Sequence, residues 1–243
     1  MSHLLPFPWS GLADAAYSDH IKELNNTRPK NPFFFLKPTS SILAPPHTKT
    51  PILIPRNVNV HFEIELGIVI GKPLHNLRIP SSLQDEDAAA KALPYIKSYV
   101  LGIDMTARNL QELAKKSGLP WTMAKGFDTF LPISNEIPKE KIPDPHNARI
   151  WLSVNNEMKQ DDNTNLMLFR VPRILTEIGR VMTLEEGDLV LTGTPKGVGP
   201  VKAGDVIRAG ISVDGKEIGE GNIEIGVEDA DGPEKGGYDF ARL

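Results

Sequence analysis

Two glutamates stand two residues apart in His61-Phe62-Glu63-Ile64-Glu65-Leu66. On a strand, that spacing sends both carboxylates to one face while Phe62, Ile64 and Leu66 pack on the other. Like charges on one face repel, and a cation would resolve the conflict. Oxygen donors of this kind suit hard ions such as Mg2+, Mn2+ or Ca2+ rather than zinc. The same pair also fits a solvated sheet face. Asp104 follows the apolar run Tyr99-Val100-Leu101-Gly102-Ile103 and precedes a helical pattern. A carboxylate there can complete a three-carboxylate metal site, or it can anchor a helix N-terminus through the dipole.

Groups that could move protons or hold anions lie on either side of these acids. His20 and Glu23, three apart, share one face of a helix. A histidine beside a carboxylate can act as a general base; equally, the two can form an exposed ion pair. Lys125 sits among Trp121, Met123, Phe127 and Phe130. Its ammonium either snorkels to water or offers a cation to an anionic substrate. Arg108 and Gln111 share a helical face beyond Asp104, where Arg108 could instead pair with Glu112 in solvent.

The elements that must position these residues are mostly strands. Pro51–Ile54, Val58–Ile70 and Tyr99–Asp104 read as strands rich in apolar or β-branched residues. Thr106–Lys116 reads as a helix, with Leu110, Leu113 and Ala114 on its buried face, Thr106 as N-cap, and Gly118 and Pro120 as stops. Ala13–Asn25 is expected to be a short helix. Pro172 suits the first turn of another, carrying Ile174, Leu175, Ile178 and Val181. Asn155-Asn156 and Asp214-Gly215 mark tight turns between strands, and Leu189–Thr192 and Ile223–Val227 add further strands. Few helices and frequent hairpins predict an α+β, mostly β fold rather than a doubly wound sheet.

Composition narrows the function. The 243 residues include 31 acidic and 27 basic side chains, a net charge of −4, which argues against a nucleic-acid partner. The absence of cysteine excludes disulfides, thiolate metal sites and a cysteine nucleophile. No apolar run is long enough to span a bilayer, so no membrane partner is expected. Nor does the N-terminus read as a secretory signal or a standard mitochondrial presequence, because Lys22 is its first basic residue and Asp14 precedes it. Gly67–Lys72 looks like a phosphate loop but is one residue short, and Gly197-Val198-Gly199 lacks the third glycine of a dinucleotide site.

Taken together, Phe62–Gly67, Gly102–Arg108, Trp121–Lys125, and Leu184–Asp188 running on to Thr192-Gly193-Thr194-Pro195 resemble the fumarylacetoacetate hydrolase family. The likeness is strongest to its small eukaryotic acylpyruvases, oxaloacetate decarboxylases and oxaloacetate tautomerases. It implies a mixed β-roll fold with few helices, with residues 1–50 as an N-terminal segment bearing a lid helix and 51–243 as the catalytic domain. It implies a homodimer and a divalent metal, Mg2+ first, on Glu63, Glu65 and Asp104. His20, Glu23 and Lys125 are cast as catalytic, and Arg108, Gln111 and Thr194 as substrate contacts. The expected reaction is enolisation of oxaloacetate, with decarboxylation or acylpyruvate hydrolysis as alternatives, and a catalytically silent metal-binding interaction protein as a different class. Relatives imply mitochondria, whereas the N-terminal sequence implies the cytoplasm. Family members carry an apolar strand before the lid histidine; around Ala13–Asp19 this sequence reads as lacking it.

Overall fold

A computed structural model describes residues 10–13 (backbone only), 31–47, 50–77 and 90–230. The chain opens with β1 (Ser10–Ala13), β2 (Phe34–Lys37), β3 (Ile42–Leu43) and β4 (Ile52–Ile54). Next come β5 (Val60–Phe62), β6 (Ile64–Ile70), β7 (Ile96–Ile103) and β8 (Thr106–Ala107). The helices Arg108–Ser117 and Thr122–Lys125 lead to β9 (Leu131–Pro132) and β10 (Ile137–Pro138). A hairpin of β11 (Arg149–Val154) and β12 (Glu157–Asn163) precedes the helix Val171–Val181 and β13 (Leu189–Leu191). The chain then forms β14 (Gly199–Pro200), β15 (Val206–Val213), β16 (Lys216–Glu217) and β17 (Ile223–Asp229).

One six-stranded sheet runs β10-β7-β6-β13-β1-β2, and a second runs β12-β11-β15-β17-β4, with β16 on β15. β6 and β7 occupy the middle of the first sheet, and both of their faces are covered. That is why every residue of β6 is buried and β7 exposes only Lys97. Ile64, Leu66, Ile68 and Ile70 join the main core, while Val69 packs with Val100, Leu131, Ile133, Leu189 and Leu191 on the opposite face. The turn predictions hold: Asn155, Asn156, Asp214 and Gly215 all have positive φ, as a two-residue hairpin turn requires. The mostly β expectation with few helices is met.

Several local expectations change. A strand does precede the histidine segment: β1 pairs parallel to β13 through Ser10–Leu12, and antiparallel to β2. Ala13 ends that strand and so does not begin a helix; the rest of the predicted Ala13–Asn25 helix lies outside the described residues. Val58–Ile70 is two strands, broken at Glu63. Thr106 belongs to β8 and makes no cap; Ala107 takes the N-cap position, without a side-chain cap. Val181, expected on a buried face, is 72% exposed at the helix end.

Candidate metal and keto-acid site

The break at Glu63 builds the acidic site. β6 and β7 pair from Ile64↔Ile103 onward, and Asp104 N donates to Glu63 O at 2.8 Å just beyond the last pair. That bond sets two carboxylates side by side where both strands end. Glu65, one pleat further in, lies opposite Gly102, and its Oε2 accepts from Gly193 N at 2.5 Å. Ligand oxygens of Glu63, Glu65 and Asp104 all fall within 4.8 Å of one another. The three residues are 7, 3 and 1% exposed, so the solvated-face alternative fails.

Cations surround these acids. Lys125 Nζ lies 2.8 Å from Glu63 Oε2 and 2.5 Å from Asp104 Oδ2. Lys125 does not snorkel, since only 1% of it is exposed. Burial opposes its charge, but Asp104 and Glu63 outweigh burial and hold its pKa above the ordinary lysine value. Arg108 Nη2 lies 2.6 Å from Glu63 Oε1, and its Nη1 donates to Gln111 Oε1 at 2.7 Å. Its partners are therefore Glu63 and Gln111 rather than Glu112. The freed Thr106 hydroxyl donates to Glu63 Oε1 at 3.0 Å.

Lys37 was not singled out from the sequence, although a lysine closing the apolar run Phe33–Leu36 is a faint signal. Its Nζ lies 2.9 Å from Asp104 Oδ1, 3.5 Å from Met105 O and in close contact with Lys125 O. Burial and the Lys125 charge lower its pKa, against the pull of Asp104. Two carbonyl oxygens accept from this nitrogen, and Asp104 is its ion-pair partner. Three carboxylates thus share this site with three basic side chains, Lys37, Lys125 and Arg108, among the described residues.

The donor set suits a divalent metal. All three ligands are hard carboxylate oxygens. Asp104 Oδ1 is buried and accepts no aligned hydrogen bond, although Lys37 forms an ion pair with it, so a lone pair remains for a cation. Thr194 is buried one residue after the Gly193 amide that binds Glu65. Its hydroxyl accepts from Gln160 Nε2 at 2.8 Å. Gln160 also escaped the sequence reading, because nothing local distinguishes it from the polar residues around it. His20 and Glu23 lie outside the described residues.

Comparison with known proteins agrees with this geometry. Residues 12–226 match the family described as fumarylacetoacetate (FAA) hydrolase C-terminal. The mitochondrial oxaloacetate tautomerase oaa1 of Schizosaccharomyces pombe is 49% identical over 216 residues, covering 88% of this chain and 94% of that protein. The mitochondrial oxaloacetate decarboxylase of Dictyostelium discoideum is 50% identical over 197 residues, 81% of this chain and 85% of that protein. The crystal structure of fumarylpyruvate hydrolase from Pseudomonas aeruginosa, in complex with Mn2+ and pyruvate, superposes with a TM-score of 0.78 at 29% identity. It covers 91% of this chain and 90% of that one. With a match to the family pattern across residues 12–226, relatives near half identity and the same fold, the chain belongs to the fumarylacetoacetate hydrolase family.

Proposed function

We propose that this protein catalyses the keto–enol interconversion of oxaloacetate, with Mg2+ held by Glu63, Glu65 and Asp104. The observation that carries the reading is the charge balance of the buried site. The three carboxylates lie against Lys37, Lys125 and Arg108, so a divalent cation would leave a surplus of positive charge. A small dicarboxylate dianion fits that surplus. The relatives named as oxaloacetate enzymes support the same choice of substrate.

A bound divalent cation would polarise the 2-keto group as a Lewis acid. The protein's own residues do the rest. Arg108, oriented by Gln111 and Glu63, is the cation for a substrate carboxylate, and the Thr194 hydroxyl is a further, neutral donor. Lys125, kept protonated by Asp104 and Glu63, stabilises negative charge developing on the substrate oxygen. His20, supported by Glu23, is the candidate that removes a C3 proton. Returning a proton to oxygen gives the enol, and returning it to carbon regenerates the keto form. Loss of CO2 from C4 of the bound keto form, with the C3–C4 bond electrons passing to the C2 oxygen, would instead give pyruvate enolate, and protonation at C3 would complete decarboxylation.

The fumarylpyruvate hydrolase likeness favours one second reading, in which His20 activates water to attack a C4 ketone of an acylpyruvate. A panel of oxaloacetate enol, oxaloacetate keto form and acetylpyruvate, each with and without Mg2+, separates the cases. Mg2+-dependent acceleration of enol decay is the expected result. An unchanged decay rate rejects the tautomerase reading, and loss of acetylpyruvate absorbance would put hydrolysis in its place. Protein that loads metal yet leaves all three substrates untouched would be a silent binding scaffold. A homodimer and a lid helix carried by residues 1–50 belong to the same proposal, as does a mitochondrial location, which the names of the mitochondrial relatives support.

A further inference from the structure

Gln160 is 1% exposed on β12, and nothing in the reaction above uses it. Its side-chain amide ties two parts of the site together. Oε1 accepts from Ile64 N, between the two glutamates, at 2.9 Å. Nε2 donates to Thr194 Oγ1 and to Pro195 O, each at 2.8 Å, and more weakly to Lys196 O at 3.4 Å. The orientation of the amide is forced. A backbone N–H can only donate and a carbonyl can only accept, so Oε1 must face Ile64 and Nε2 must face Pro195.

The hydroxyl of Thr194 therefore receives a hydrogen bond rather than giving one to Gln160. Among the described residues, no hydrogen bond has this hydroxyl as its donor. Its proton is left to point at something else in a buried site, where an unused donor is costly.

A sheet irregularity delivers Gln160 to this place. The β11–β12 register shifts between Leu152 and Ser153: Leu152 faces Gln160 while Ser153 faces Met158, making Lys159 the extra residue. Such a bulge re-aims the neighbouring side chain. The loop after Thr194 also rests on it. Gly197 has φ of +91°, and a Cβ there would lie 2.0 Å from Lys159 O, so only glycine lets the loop come this close.

We infer that Gln160 is a positioning residue that sets the polarity of the Thr194 hydroxyl, obliging it to donate to a carboxylate or keto oxygen of the substrate. This rests on the reading of Thr194 as a substrate contact. Gln160→Glu keeps the shape and the acceptor for Ile64 N, but its second oxygen takes the Thr194 proton and reverses the polarity. The kcat/KM for oxaloacetate enol is expected to fall about 10- to 100-fold, the range for one hydrogen bond to a charged group. Adding Gln160→Glu to Thr194→Val, which already lacks the donor, should cost less than about threefold more. Oxalate binding to the Mg2+-loaded protein, measured by calorimetry, should weaken in each single variant and no further in the double.

Gln160→Met, which adds no charge, is run through the same cycle with Thr194→Val in case the glutamate variant does not fold. Wild-type kcat/KM and oxalate affinity in both Gln160 variants would overturn the inference. So would losses that multiply with those of Thr194→Val, or failure of both variants to fold, since either assigns Gln160 to the scaffold alone. Wild-type protein inactive on oxaloacetate enol would instead refute the functional reading, and the oxalate cycle would then decide Gln160 separately.

Discussion

Replacing Lys37 by methionine should expose how strongly the acidic site depends on buried counter-charge. Its ammonium lies 2.9 Å from Asp104 Oδ1, and both side chains are 1% exposed or less. At that separation, with an effective dielectric of about 20, the direct attraction is roughly 6 kcal/mol before desolvation is counted. Removing one partner from such a buried pair costs about 3–5 kcal/mol, because the remaining charge stays buried. For a chain of this size, that loss lowers Tm by roughly 6–20 °C. Asp104→Asn should be destabilised through the same pair, and the double variant should cost at least about 2 kcal/mol less than the two single losses combined. The assay is denaturant unfolding of all four proteins at neutral pH in a chelator, so that metal does not contribute. Losses that add to within about 0.5 kcal/mol would show that the two charges do not act as a pair, and the charge balance behind the proposed function would fall.

Further outcomes follow from the same geometry. In Glu65→Gln, an amide oxygen can still accept from Gly193 N, so the fold should persist while one ligand charge is lost. Wild-type protein at a hundred times its Kd for Mg2+ should gain about 2.7 kcal/mol of stability, and Glu65→Gln should gain almost none; equal gains would remove Glu65 from the ligand set. His47 Nε2 donates to Ile133 O at 2.8 Å, and burial pushes its pKa below the ordinary 6.5 despite that bond. The unfolded chain then binds a proton that the folded protein refuses. The stability His47 contributes is thus full above pH 6.5 and lost as pH falls toward the lowered folded value. Unfolding midpoints at pH 7.5 and 5.5 should differ less in His47→Gln than in wild type, and an unchanged difference would contradict this assignment.

The acidic site was partly legible before folding. Alternation around Glu63 and Glu65 put both carboxylates on one side of a strand, and Asp104 stood at the end of another. Spacing alone could not separate a metal site from a wet surface. That depends on whether the strands are central, and β6 is enclosed by β7 and β13, whose residues lie far from it in sequence. The break at Glu63 was hidden for a similar reason. It arises where β6 leaves β7 and β5 turns to pair with β8 and β14, a competition between long-range partners. Thr106 shows the same limit, because its hydroxyl satisfies Glu63 instead of the helix end that local rules assign to it.

Local chemistry sufficed where the next few residues decide the outcome. Tight turns at Asn155-Asn156 and Asp214-Gly215, the helix after Pro172, the buried faces of β6 and the types of the metal-ligand candidates all follow from short-range sterics and periodicity. Tertiary structure alone decided which charges meet. Lys37 reaches Asp104 across 67 positions of chain, from numbers 37 and 104, and Gln160 reaches Thr194 across 34. Pairings of that kind are set by strand order and register. A buried charge or hydroxyl accepts whichever partner the sheets deliver, and no local pattern in the sequence encodes that delivery.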